Sequence, residues 1–172
     1  MRTLLFILTI IPMLVSCKKE KKRPVYYAET PATEIATSHS GEEVIIPYRE
    51  EGGVKYVDVK VNGVAFEMIF DTGCSGTLIS LAEASYLFLK DQLTIDDFQG
   101  VSRSMIADGS VVENMVVKLR EVTIADKVIC PDVIATVSTN LNAPLLLGNE
   151  VLDRVATITI DNERKELKFK LK

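Results

Sequence analysis

Residues 44–172 predict an all-β domain, and three observations carry the prediction. Apolar and polar residues alternate with period two in stretches such as Tyr56-Val57-Asp58-Val59-Lys60-Val61 and Thr157-Ile158-Thr159-Ile160-Asp161, the pattern of strands with one buried face. Short polar turns separate these stretches, foremost Asn62-Gly63 between two β-rich runs, the strongest short-range hairpin signal. Only Leu81–Leu89 carries the signals of a helix. The 172 residues, nearly half of them apolar, have a net charge of −4 and a pI near 5.1. That composition is globular and offers no basic face to nucleic acid.

In chain order, residues 1–16 precede the fold. Arg2 supplies a positive charge and Leu4 to Val15 an apolar core too short to cross a bilayer, which predicts a secretory signal peptide. The run closes on Leu14-Val15-Ser16-Cys17, with Lys18-Lys19-Glu20 directly behind it. This resembles the lipobox of bacterial lipoproteins. The resemblance implies lipidation of Cys17 and a mature protein tethered to a membrane of the bacterial cell envelope. An ordinary signal peptide, or a buried cysteine beside a chance apolar run, is the alternative. Lys18 is not the aspartate that commonly signals inner-membrane retention, so the resemblance points to the outer membrane or periplasmic face rather than the cytoplasm.

Residues 17–43 read as the lipidated cysteine and a flexible linker. The charge run Lys18–Arg23, Pro24, Pro31 and a Thr/Ser/Ala mixture leave little apolar surface to bury. The segment is a solvated spacer or, alternatively, a basic contact with anionic headgroups. His39, the only histidine, sits there among polar neighbours, which leaves no His-based triad or His-rich metal site. No Walker loop, GxGxxG, HExxH or CxxC occurs, and neither metal nor cofactor is expected.

The globular part opens with a strand at Val44–Tyr48, placed at an edge by Pro47. The Asn62-Gly63 hairpin follows, and its second arm runs Val64–Phe70 into Asp71. After the corner, Thr77–Ser80 is a brief strand, and Ser80 caps the helix with Glu83 in the reciprocal position. Thr94 to Phe98 suggests a short turn. Val101–Ala107 and Val111–Val117 form another hairpin, tipped by Asp108-Gly109-Ser110. Three further strands are expected at Val122–Ile124, Val128–Cys130 and Val133–Val137. Pro144 to Leu147 is an apolar strand stopped by Gly148 before a helical turn, and two strands close the chain at Thr157–Asn162 and Leu167–Leu171.

Within this order one stretch carries chemistry: Met68-Ile69-Phe70-Asp71-Thr72-Gly73-Cys74-Ser75, an apolar strand delivering an acid to a tight corner. Gly73 there is expected to take backbone angles other residues avoid and to admit a close neighbour. The corner, the Asp108-Gly109-Ser110 hairpin and Leu146-Leu147-Gly148 stand in the order that resembles the retropepsin-like aspartic proteases. The resemblance covers nearly all of residues 44–172; Cys74 stands where that family often has alanine or serine.

What the resemblance implies is specific. The fold is a small closed, barrel-like acid-protease fold with one short helix after the catalytic corner and a flap hairpin. The activity is aspartic endopeptidase cleavage of a peptide or protein substrate. Asp71, Thr72 and Gly73 form the catalytic motif; Asp108, Gly109 and Ser110 tip a flap over the substrate; Leu146, Leu147 and Gly148 support the catalytic loop from behind. The chemistry needs two aspartates, and none of Asp108, Asp126, Asp153 and Asp161 is followed by Thr/Ser-Gly. The implied solution is a two-fold homodimer in which the Asp71 residues of both chains meet, with the Leu167–Leu171 strand pairing with its mate.

Two alternatives stay open at this stage. One is a catalytically inactive, dimeric peptide-binding lipoprotein of the same fold, and the other a chance motif in a secreted monomeric β-barrel. Cys74 and Cys130 read as two buried thiols, with a disulfide between them as the alternative.

Overall fold

A computed structural model describes residues 41–105 and 108–172. The signal segment 1–16, Cys17, His39 and the linker up to residue 40 lie outside the described residues, as do Ile106 and Ala107 of the hairpin. The elements are β1 (Glu43–Pro47), β2 (Arg49–Glu51), β3 (Val54–Val61), β4 (Val64–Phe70), β5 (Thr77–Ser80), α1 (Leu81–Leu89) and a 3-10 turn (Ile95–Asp97). They continue with β6 (Phe98–Met105), β7 (Val111–Ile124), β8 (Val128–Ser138), β9 (Leu146–Leu147), α2 (Asn149–Leu152), β10 (Thr157–Asp161) and β11 (Glu166–Lys170). The domain is mostly β, as expected, with two short helices rather than one.

The β3–β4 hairpin turns on Asn62 and Gly63, both with positive φ (49° and 85°), the pairing of angles that matches the twist of adjoining strands. Its register sets Val57 opposite Met68 and Val59 opposite Phe66, all four buried. Asn62 does more than turn the chain. Its N–H donates to Glu121 O, and its Oδ1 accepts from Glu121 N–H.

That contact explains a difference from expectation. The three short strands expected between Val122 and Val137 are parts of two long ones, β7 and β8, in unbroken register from Met115↔Val137 to Ile124↔Val128. Pro131 reads as a break because it has no N–H to give a sheet. Opposite it stands Glu121, whose own N–H and carbonyl are turned away towards Asn62. The register is the same on both sides of the proline, and only the neighbouring Arg120–Asp132 pair, where Asp132 has φ +52°, is missing from the ladder.

Eight strands form one sheet in the order β2-β3-β4-β9-β5-β8-β7-β6, and β3, besides pairing with β2 and β4, pairs with β7. The remaining three form a small sheet, β1-β11-β10. Pro47 does lie on an edge strand, since β1 pairs only with β11. The expected pairing of the last strand with a partner chain is corrected here. β11 is flanked by β1 and β10, so both its hydrogen-bonding edges are occupied within the chain. Its Leu167 and Phe169 are fully buried beside Ile46 of β1. Ser80 caps α1 by accepting from Ala82 N–H at 3.1 Å, while Glu83 bonds the Ser80 hydroxyl rather than its backbone.

Candidate active site

β4 carries Asp71 to its corner and β5 carries the chain away. The two-residue β9 lies between them, parallel to β4 (Ile69↔Leu146, Phe70↔Leu147) and antiparallel to β5 (Leu78↔Leu146). The wedge is secured by Ile69 N–H to Leu145 O at 2.8 Å and Asp71 N–H to Leu147 O at 3.1 Å. Leu147 is fully buried, so the support is packed from within as well as hydrogen-bonded.

Gly148 follows at the tightest point. A Cβ on it would lie 2.0 Å from Gly76 O and 2.6 Å from Cys74 O. Both are backbone atoms of the Asp71 loop, so only glycine lets the two segments meet. Directly beyond, the start of α2 grips the same loop. Asn149 N–H donates to Cys74 O at 2.9 Å, Glu150 N–H to Ser75 O at 3.1 Å, and the Asn149 side-chain Nδ2 to Thr72 O at 3.1 Å. Residues 71–76 and 145–150 are therefore one assembly.

Inside the loop, Asp71 Oδ1 accepts from Gly73 N–H at 2.9 Å, and Cys74 Sγ donates to Gly76 O at 3.1 Å. Gly73 does not use a positive φ, contrary to expectation. Its value is closeness, because a Cβ there would meet Asp71 Oδ1 at 3.2 Å. Asp71 is half-buried, while Thr72 and Gly73 are exposed at the corner's outer face.

The Asp108-Gly109-Ser110 tip is exposed and closes on itself, with Ser110 N–H donating to Asp108 Oδ1 at 2.8 Å and Gly109 at φ +84°. Hydrogen bonds from the Ser110 hydroxyl and backbone hold the Asp108 carboxyl below its ordinary range. Among the described residues, no hydrogen bond joins this tip to the Asp71 corner. The hairpin bearing it leaves Val101, Met105 and Val111 63%, 77% and 62% exposed. Met105 and Val111 are paired opposite each other, and Val101 lies in the same alternation.

Cys74 and Cys130 are free thiols, the first half-buried and the second buried. Burial pushes the Cys130 thiol up to about 11. Sequence reasoning passed over Asn149; its one signal was a side-chain amide immediately after Gly148. A cleft of about 730 Å³ elsewhere is lined by Tyr48, Tyr56, Arg49 and Glu67 among others and includes none of residues 71–76. Its Arg49 is forked onto Glu67 at 2.8 and 2.7 Å and its Lys60 is paired with Asp126.

Three comparisons bear on this arrangement. The family model described as gag-polyprotein putative aspartyl protease matches residues 57–154, more than half of the chain. That span holds both halves of the Asp71 assembly. Among solved structures, the chain is similar to a retropepsin-like aspartic protease from Rickettsia conorii, with a TM-score of 0.53 and 22% identity. The likeness covers 76% of this chain and 90% of that one, and shows a shared fold. None of the curated proteins matches. The chain belongs to the gag-polyprotein aspartyl protease family, and its fold is retropepsin-like.

Proposed function

We propose that this protein is an aspartic endopeptidase that works as a homodimer, with Asp71 of each chain forming the catalytic pair. The observation that carries the reading is the Asp71 corner itself. A half-buried carboxylate, fixed by Gly73 N–H, projects from a loop gripped from behind by β9, Gly148 and α2. Such bracing holds a reacting group in one geometry.

Two carboxylates held close share one proton, because both cannot ionise cheaply side by side. The ionised one takes a proton from a water lying between them. The protonated one donates to the scissile carbonyl oxygen as that water attacks. Collapse of the tetrahedral intermediate then passes a proton to the leaving amine, with no covalent enzyme intermediate. One chain supplies only one such corner, so a second copy completes the site.

Thr72 hydrogen-bonds across the two-fold to the partner's loop and holds the two carboxylates coplanar, a role that its exposure supports. With β11 flanked on both sides, the small sheet can offer a partner only the outer edges of β1 and β10, which pair with no further strand among the described residues. The pairings that run from β3 through β4, β9, β5, β8 and β7 back to β3 support a closed barrel. The hairpin with its exposed Val101, Met105 and Val111 is suited to cover an extended peptide, with Asp108, Gly109 and Ser110 at the tip. Residues 44–172 are the protease domain, carried by the linker 17–43 and anchored through a lipidated Cys17 after removal of signal peptide 1–16. The Leu14–Cys17 motif supports this envelope location.

The test is cleavage of a diverse peptide mixture by the purified protein and by Asp71→Asn, across acidic to neutral pH, read by mass spectrometry. The expected result is cuts by the parent protein alone, with both proteins equally folded. Cleavage surviving in Asp71→Asn would remove Asp71 from the chemistry.

A further inference from the structure

The peptide group between Thr72 and Gly73 is held at both of its polar ends. Its carbonyl accepts from Asn149 Nδ2 at 3.1 Å, and its N–H donates to Asp71 Oδ1 at 2.9 Å. These two bonds belong to a single planar amide, so the C=O and N–H cannot turn independently. We infer that Asn149 is a positioning residue for Asp71, acting through that amide plane to fix where the Gly73 N–H points and so how the carboxylate is turned.

The residue type suits the task. The Asn149 backbone N–H is already committed to Cys74 O, and Gly148 brings its Cα close against the loop. Its side chain then needs a donor at the reach of one carboxamide. Aspartate has the same shape but only acceptor oxygens at neutral pH, and would set a negative charge against the Thr72 carbonyl. Alanine leaves the carbonyl without this partner. Donation to a carbonyl also polarises the amide and strengthens its N–H as a donor, so the two bonds reinforce each other. The other hydrogen bonds from the start of α2 to the loop are backbone-to-backbone and do not involve the Asn149 side chain.

The catalytic consequence rests on the peptidase reading, while the link from Asn149 to the Gly73 amide does not. The experiment therefore reads both. In the ¹⁵N-labelled full chain, Asn149→Ala and Asn149→Asp are expected to move the Gly73 amide proton upfield and to speed its exchange with solvent. In the peptide assay, kcat is expected to fall about tenfold for Asn149→Ala, the loss of roughly one hydrogen bond in the transition state. The fall is larger for Asn149→Asp, and KM is unchanged for both. Titration with a hydroxyl-bearing peptide mimic of the tetrahedral intermediate counts working sites, so a smaller active fraction is not mistaken for slower turnover. A Gly73 amide that is unmoved in both variants overturns the inference, as does unchanged kcat in an active protein. If the parent protein itself does not cut, the peptidase reading falls, and the Gly73 resonance alone decides whether Asn149 holds the amide.

Discussion

Two turns in this molecule share a local design and differ in everything around it. At Asp71 and at Asp108, a carboxylate oxygen accepts the N–H of the residue two places on, at 2.9 and 2.8 Å. The first turn is wedged by β9, closed against Gly148 and held by three hydrogen bonds from the start of α2. The second stands exposed at the end of a hairpin. A short polar turn is therefore not a site in itself. Bracing from distant parts of the chain fixes one of them, and among the described residues the other has no such bracing.

The glycines of the two regions sharpen the contrast and give the largest expected effect. At Gly148 an added Cβ runs into backbone of the Asp71 loop, so Gly148→Ala should destabilise the fold by about 3–5 kcal/mol, the range of severe core overpacking and strain. At Gly109 there is open space around an added Cβ, but φ is +84°. Gly109→Ala should cost only about 1 kcal/mol of backbone strain. Denaturant unfolding of the two variants measures the difference directly. Equal destabilisation would remove the distinction between a braced corner and a free tip.

A smaller effect separates the two thiols. Cys74 is half-buried in the corner, and Cys130 is buried with its thiol pushed up to about 11. The thiolate is the reactive form, so a small alkylating reagent at neutral pH should add to Cys74 first and leave Cys130 intact in the native protein. Intact mass followed by peptide mapping shows which thiol reacts. Substrate cleavage should fall in step with the Cys74 adduct, which crowds the loop that carries Asp71.

The smallest effect concerns the exposed tip. The Asp108 carboxyl is held below its ordinary range by Ser110, so its contribution is present above the unfolded-state value, near 3.9. It is lost as pH falls through the lower folded value. Asp108→Asn should thus differ slightly from the parent in thermal midpoint at neutral pH, and the two should converge under acid. A difference that grows in acid would reverse the sign.

What the sequence made legible was local or compositional. Asn62-Gly63 named its hairpin because both positions need positive φ, and Leu146-Leu147-Gly148 announced a strand that stops. What stayed hidden depended on partners far along the chain. Pro131 hides a continuous β8 because its tolerance comes from Glu121 turning towards Asn62. The central place of β11 depends on β1, more than a hundred residues earlier. Gly73 was marked for an unusual angle and for the approach of another segment; the structure shows neither there, only its own loop's Asp71 Oδ1 at 3.2 Å from a Cβ, and puts the close approach of two segments at Gly148. Asn149 was invisible because one polar side chain after a glycine has no pattern of its own.

The central claim is that each site needs one Asp71 from each of two chains, and mixing tests it most directly. Equal amounts of parent protein and Asp71→Asn are allowed to exchange subunits, and peptide cleavage is compared with the parent at the same total concentration. If both aspartates of a dimer are required, only about a quarter of the dimers retain the pair, and the rate falls to about a quarter. A rate of about one half would mean that each chain works alone, contradicting the shared site.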